Sequence, residues 1–269
     1  MKTSVLELRN ISKAFYGVPA LDNVDLQVDR GTVHALLGEN GAGKSTLVKI
    51  ISGAYQKDSG EILIGGQKVE INNPQDAIKL GIGIIYQEFN LVPQLTVFEN
   101  ILLGREPLTR FNTIDRKEMQ KLAEQTLRPL GIKLDLNAPI KKLGVAQQQM
   151  VEVAKALSLD ADLLIMDEPT SALTQAEIDQ LFTTIRKLKE TGVSIIYISH
   201  RLDELFEIAD EVTVLRDGRH VGNRNMTYIS KNELIKMMVD REIVDIYPVR
   251  DAQIGKELLK VSGLCIEPS

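Results

Sequence analysis

The chain switches between two hydrophobic periods, and each switch marks an element. Residues 5–15 and 23–28 carry apolar side chains at every second position, as antiparallel strands with one buried face do. Residues 33–37, 83–86, 163–166 and 193–199 are short, nearly continuous apolar runs, the pattern of parallel strands covered on both faces. Elsewhere the period lengthens to that of a helix. Residues 45–52 predict one helix; Asn73, with Pro74 at the first position, opens another that Gly81 closes. Asp115 and Glu118 predict a capping box for a helix carrying Met119, Leu122, Ala123, Leu127 and Leu130, ended by Gly131. A further helix is expected over 147–158. Thr174 and Glu177 cap the next, with Ile178, Leu181, Phe182, Ile185 and Leu188 on one face and Gly192 at its end. Residues 212–215, the turn Asp217-Gly218 and residues 219–221 predict strand, tight turn and strand. Ser230 and Glu233 open a last helix to about residue 239.

This order predicts an α/β chain with a mostly parallel core sheet, an antiparallel β subdomain and an inserted α-helical subdomain over about 88–158. One domain is expected over residues 1–240, followed by a linker over 241–256. The segment Leu258-Leu259-Lys260-Val261-Ser262-Gly263-Leu264 repeats the apolar pattern of Val5-Leu6-Glu7-Leu8-Arg9-Asn10-Ile11. Residues 257–269 therefore predict the first strand of a second, truncated domain, against the alternative of a chance strand of common residues.

Composition narrows the class. With 43% apolar residues over 269 positions the chain can bury a large core and is not disordered. A net charge of −5 argues against a nucleic-acid surface, which would be basic. Cys265 is the one cysteine, so no internal disulfide can form and a reducing compartment is expected. No apolar run approaches membrane-spanning length and the N-terminus lacks a signal-peptide pattern, so a soluble chain that meets a membrane only by docking is expected.

The candidate chemistry begins at Gly38-Glu39-Asn40-Gly41-Ala42-Gly43-Lys44-Ser45, a phosphate loop with every fixed position filled. Glycines let several backbone N–H groups point into one concavity, Lys44 adds a charge for the β- and γ-phosphates, and Ser45 offers a hydroxyl to Mg²⁺. An ordinary glycine-rich turn is the competing reading. A buried strand before the loop and a helix after it, through Thr46, favour a nucleoside triphosphate with its anion at the helix N-terminus. A second motif, Leu163-Leu164-Ile165-Met166-Asp167-Glu168, is an apolar strand ending in two carboxylates. Asp167 is expected in the Mg²⁺ shell, and Glu168 to take a proton from the attacking water; a solvated acidic turn is the alternative.

These motifs resemble the ABC-type ATPases. Asp167-Glu168-Pro169-Thr170-Ser171-Ala172-Leu173 looks like their Walker B strand and D-loop, and Ile198-Ser199-His200 like their switch histidine. Gln87, in Ile84-Ile85-Tyr86-Gln87-Glu88, matches the Q-loop glutamine that touches metal and water. Phe15 stands where the family places an aromatic that stacks on adenine. Residues 81–106, 163–174, 195–218 and 237–248 are similar to the ATP-binding subunits of bacterial monosaccharide importers of the ribose/galactose/xylose type.

The resemblance implies ATP and Mg²⁺ as cofactors, with Glu168, His200 and Gln87 catalytic and Ser45, Gln87 and Asp167 at the metal. It implies ATP hydrolysis powering sugar import through separate transmembrane permease subunits, and a peripheral place on the cytoplasmic face of the membrane. A periplasmic or extracellular sugar-binding protein would act indirectly. A second ABC half in the same polypeptide, and no nucleic acid, complete the expected partners.

One motif departs from the pattern. The family signature Leu-Ser-Gly-Gly-Gln reads here Leu143-Gly144-Val145-Ala146-Gln147. Gly144 lacks the hydroxyl that would reach the γ-phosphate held by the partner half, and Ala146 adds a Cβ where backbone should approach. A charged hydrogen bond is worth about 1.5–3 kcal/mol, so the site built with the partner is weakened by roughly 10- to 150-fold. Thr174, where the family has an aspartate, adds to the departure and is equally a helix N-cap. The expectation is an asymmetric engine that hydrolyses at Lys44, Glu168 and His200 and holds nucleotide at the other site. A soluble ABC ATPase of translation or DNA repair, and a regulatory nucleotide-binding module with little turnover, stay open as alternatives.

Overall fold

A computed structural model describes residues 4–239 and 260–263. The linker expected over 241–256 lies outside them. Of the expected strand over 257–269 only 260–263 is described, exposed and without regular structure.

Strands β1 (Ser4–Phe15) and β2 (Val18–Asp29) form a hairpin longer than the alternation predicts. Tyr16 and Gly17, both at positive φ (51° and 83°), close it with a two-residue turn that suits the right-handed twist of its strands. β3 (Val33–Leu37) leads through the phosphate loop into α1 (Lys44–Ile51). β4 (Ser59–Ile64) and β5 (Gln67–Val69), absent from the sequence reading, complete an antiparallel sheet in the order β2-β1-β4-β5. Next come α2 (Pro74–Lys79), with Asn73 Oδ1 accepting from the Asp76 N–H at 3.1 Å, and β6 (Ile82–Ile85).

Three α-helices and one 3-10 turn (Ile140–Lys142) follow before the sheet resumes, the helices being α3 (Val97–Ile101), α4 (Arg116–Leu127) and α5 (Val145–Leu157). The capping box expected on α4 is half formed. Asp115 caps the Glu118 N–H at 3.1 Å, but the Glu118 carboxylate turns to Lys121 at 3.0 Å, one turn along the exposed face, and does not return to the cap. α5 starts two residues earlier than predicted, because Gly144 already has the extended backbone of an N-cap. The chain then runs β7 (Leu163–Asp167), α6 (Gln175–Glu190), β8 (Ser194–Ile198), α7 (Leu202–Ile208), β9 (Glu211–Arg216), β10 (Arg219–Asn225) and α8 (Lys231–Val239).

The second sheet has the order β10-β9-β3-β8-β7-β6, parallel except for β10. Its strands read as continuous apolar runs because both faces are covered. Leu36, Ile165, Ile196 and Ile198 pack under α1 and the antiparallel sheet. Leu37, Leu164, Met166 and Tyr197 pack on α6, α7 and the far end of α5. The helical insert has its own core around Phe98, Met119 and Leu127, and α5 serves both cores, sending Val151 and Ala154 one way and Val153 and Ala156 the other. The insert is thus fastened along a helix and not tethered by its ends. Among the described residues no helix is long and apolar enough to cross a membrane.

Candidate nucleotide site

The site lies at the C-terminal edge of the parallel strands, where β3, β6, β7 and β8 end side by side. Ligands bind there in open α/β sheets because loops and helix N-termini converge at that edge. A cleft of about 330 Å³ is lined by Ala20, Asn40 to Thr46, Gln87, Asp167, Glu168 and Ile198.

The phosphate loop has its required shape before any ligand arrives. Gly41 and Gly43 hold φ of 87° and 99°, a region that side-chain-bearing residues enter only with strain. At Gly43 a Cβ would fall 2.6 Å from Leu21 Cδ2 and 2.9 Å from the Ala20 carbonyl. Neighbouring turns brace the loop: the Gly218 N–H donates to the Ala42 carbonyl, and the Asp22 N–H to the Gly218 carbonyl. Lys44 Nζ donates to the carbonyls of Gly38 (2.7 Å) and Glu39 (3.0 Å), so the ammonium arches over the loop. Burial lowers its pKa, and the charges of Glu168 and Asp167 oppose the shift.

The acidic end of β7 splits into two environments. Burial pushes the Asp167 carboxyl up, Glu168 adds to the push, and Lys44 and Lys49 oppose it. A carboxylate so placed gains most from a cation. With Ser45 and Gln87 on the same wall, the donors are hard oxygens. Among the described residues no cluster of three or more acidic, His or Cys side chains could cage an ion. The set suits Mg²⁺, which keeps waters and phosphate oxygens in its shell.

Glu168 sits in the left-handed region at φ 47°, its N–H bonded to the Ile198 carbonyl at 2.9 Å. That turn aims its carboxylate at His200, whose Nδ1 lies 3.1 Å from Glu168 Oε1 while most of the ring stays exposed.

Besides His200, which meets the cleft only through Glu168, three expected groups stand apart from it. The Phe15 ring packs edge-on against Tyr55 at 5.2 Å and does not line the cleft. Leu143, Gly144, Val145, Ala146 and Gln147 sit at the N-terminus of α5, outside the lining and largely exposed. Gln147 Oε1 accepts from the Gly144 N–H at 3.1 Å, half of a capping box whose other half a glycine cannot supply. Gly38 and Glu39 act through their carbonyls on Lys44 and do not line the cleft.

The sequence reading missed two buried carboxylates. Glu152 on α5 accepts from the Asn90 N–H at 2.6 Å, and Lys155 donates to the Asn90 carbonyl at 2.8 Å. This pair clamps the segment after Gln87 to the signature helix. Glu204 on α7 binds around the loop of His200. Neither residue belongs to a sequence motif, and no local pattern marks them.

A glycine-rich loop, a strand-end acidic pair and a paired histidine over one cleft define a phosphate-loop nucleotide-binding domain. The family model described as ABC transporter matches residues 21–171, more than half of the chain, and the chain belongs to that family. It is 56% identical over 260 residues to a ribose import ATP-binding protein of Rubrobacter xylanophilus, covering 97% of this chain and 52% of that protein. It is 53% identical over 260 residues to one of Streptomyces coelicolor, covering 97% and 50%. The chain thus spans about half the length of these relatives. Among solved structures it resembles an ATP-binding cassette of an ABC transporter in its ADP conformation, with TM-score 0.76, 26% identity and coverage of 90% of this chain and 97% of that one. A dimeric cassette in a post-hydrolysis state bound to ADP and Pi matches with TM-score 0.69, 26% identity and coverage of 82% and 98%.

Proposed function

We propose that the chain is an ATP-binding and ATP-hydrolysing half of a monosaccharide import motor that works on the cytoplasmic face of the membrane through separate permease subunits. The observation that carries the reading is the Glu168–His200 pair at the mouth of the phosphate-loop cleft. Relatives named for ribose import, more than half identical across nearly the whole chain, support the substrate class.

The loop N–H groups and Lys44 hold the β- and γ-phosphates, while Ser45, Gln87 and Asp167 are the residues that would hold Mg²⁺. The ion supplies charge neutralisation at the phosphates when bound. Glu168 accepts a proton from the water that attacks the γ-phosphorus, and the bond to the β-phosphate oxygen breaks to leave ADP. His200, held through Nδ1 by Glu168, turns its other ring nitrogen to the γ-phosphate. Phe15, the aromatic that the family resemblance assigns to adenine, would leave Tyr55 to stack on the base.

The exposed signature segment, Leu143 to Gln147, meets the nucleotide of a second ABC half, expected in the same polypeptide. ATP bridges the halves, hydrolysis removes the bridge, and the difference in affinity between states drives the permease. Gln87, joined to α5 through the Asn90 clamp, lies on the route by which γ-phosphate occupancy reaches the helical insert. A sugar-binding protein outside the membrane selects the cargo.

The test is ATP-dependent uptake of labelled ribose, galactose and xylose by liposomes holding the full-length polypeptide and its permease. Uptake of one of them that needs ATP and Glu168 supports the reading. ATP turnover stimulated by ribosomes or DNA, with no uptake, contradicts it.

A further inference from the structure

The turnover assigned to Glu168 and His200 depends on how they are held. Glu168 occupies a left-handed backbone conformation (φ 47°), which strains a non-glycine residue and persists only where the surroundings over-determine it. His200 is mostly solvent-exposed and follows the last residue of β8 by two positions. Neither residue is buried in its own right.

What holds them lies beneath. Glu204 is 5% exposed, and its two oxygens gather four donors. Thr170 Oγ1 approaches both, at 2.8 and 2.9 Å. Tyr197 Oη and Ser199 Oγ each donate to Oε2 at 2.9 Å. The Arg201 guanidinium meets Oε1 at 2.9 Å. Ser199 Oγ also accepts from the Arg201 N–H at 3.0 Å, so both chain neighbours of His200 are tied to one carboxylate. Thr170, two residues after Glu168 and 3% exposed, is tied to it as well. With an ionised Glu204 every hydroxyl has a reason to point inward and Arg201 has its counter-charge. A buried polar network satisfied at every member fixes one geometry, whereas a half-satisfied one costs stability. A core held only for packing would carry a leucine here more cheaply.

We propose that Glu204 is a positioning residue for hydrolysis: it fixes the Glu168–His200 pair by holding Thr170 and Ser199, the neighbours of those two residues, in one register. The proposal rests on the assigned ATPase activity. It also predicts that displacement of the Thr170 segment, which the family resemblance places in the D-loop, reaches His200 through this carboxylate.

The test compares wild type, Glu204→Ala and Glu204→Gln in the full-length polypeptide, with steady-state ATPase kinetics and the ¹⁵N signals of the imidazoles. The difference between wild type and a His200→Gln variant assigns the His200 signal. Glu204→Ala is expected to lower kcat by about tenfold or more while the KM for ATP stays within about threefold, the signature of a lost transition-state geometry. The His200 Nδ1 signal should shift to that of an imidazole without its carboxylate partner. Glu204→Gln, which still accepts from the hydroxyls, should recover part of both. A folded Glu204→Ala variant with kcat within about twofold of wild type, or with the His200 signal unmoved, overturns the proposal. If Glu204→Ala does not fold, Thr170→Val and Ser199→Ala take its place; folded versions of both that keep kcat within about twofold overturn it equally. Wild-type protein without turnover would refute the assigned ATPase, while the imidazole signal would still decide on Glu204.

Discussion

His200 Nδ1 and Glu168 Oε1 lie 3.1 Å apart although they are 32 positions apart in the chain, with α6 and β8 between them. Parallel pairing of β7 with β8, in the register Asp167 opposite Ile198, brings Glu168, one residue past β7, beside His200, two residues past β8. The consequence is a division between binding and chemistry. His200→Ala should keep ATP affinity within about threefold of wild type, because Lys44 and the loop remain, and lose turnover by about a hundredfold. Nucleotide titration alongside an ATPase assay checks both.

Gly43 separates loop shape from side-chain chemistry. Alanine there would put a Cβ against Leu21 and the Ala20 carbonyl at φ 99°, so Gly43→Ala should abolish measurable ATP binding and lower stability by about 1–3 kcal/mol. Gly41, also at positive φ but with nothing near an added Cβ, should lose roughly 1 kcal/mol when changed to alanine. Urea denaturation of the two variants gives the comparison.

Much of this architecture was legible because each strand of the parallel sheet is a bare apolar run such as Leu163-Leu164-Ile165-Met166. The phosphate loop and the Asp167-Glu168 pair announce their chemistry within a few consecutive residues. β4 and β5 escaped notice because the run Ser59–Ile64 has its glycine and glutamate at one end and only three apolar residues at the other. α3 and α7, at five and seven residues, are too short to show a period. Glu204 and Glu152 were invisible for a different reason. A glutamate in a helix reads as solvent-facing, and only the fold brings Thr170, Tyr197 and Ser199, or Asn90, to its oxygens.

The signature departure can be repaired at one residue. Gly144 has φ −66° and ψ 162°, and a Cβ there meets nothing within 4 Å. Gly144→Ser should fold as well as wild type and gain a few tenths of a kcal/mol as a better N-cap. It should also tighten ATP-dependent closure with the second half by roughly 10- to 150-fold, the value of the restored charged hydrogen bond. Sedimentation or fluorescence titration of closure against ATP measures this; an unchanged midpoint would show that Gly144 does not face the partner's phosphate.

His34 gives the fold a defined response to acid. It is fully buried in β3, and burial lowers its pKa to about 4, with Asp29 opposing the shift. Thr213 donates its hydroxyl proton to Asn223 at 2.7 Å, so it accepts from His34 Nε2–H at 2.7 Å, and with the pKa lowered to about 4 the ring is neutral at pH 7. The folded pKa lies below the unfolded one. The neutral ring's contribution is therefore complete above the unfolded value near pH 6.5 and is lost as pH falls towards 4. The full window corresponds to on the order of 3 kcal/mol. Between pH 7 and pH 5 the wild type should lose about 2 kcal/mol more than His34→Gln in urea titrations.

Lys44, Asp167, Glu168, Gln87 and His200 are proposed to act on one triphosphate, with Glu168 removing the proton. The most direct measurement is ATP turnover by the full-length polypeptide carrying Glu168→Gln, an isosteric change that leaves the phosphate loop intact. Glu168→Gln should leave ATP affinity unchanged and keep less than about a tenth of wild-type turnover. Turnover that persists above that level, with binding intact, would place the chemistry elsewhere.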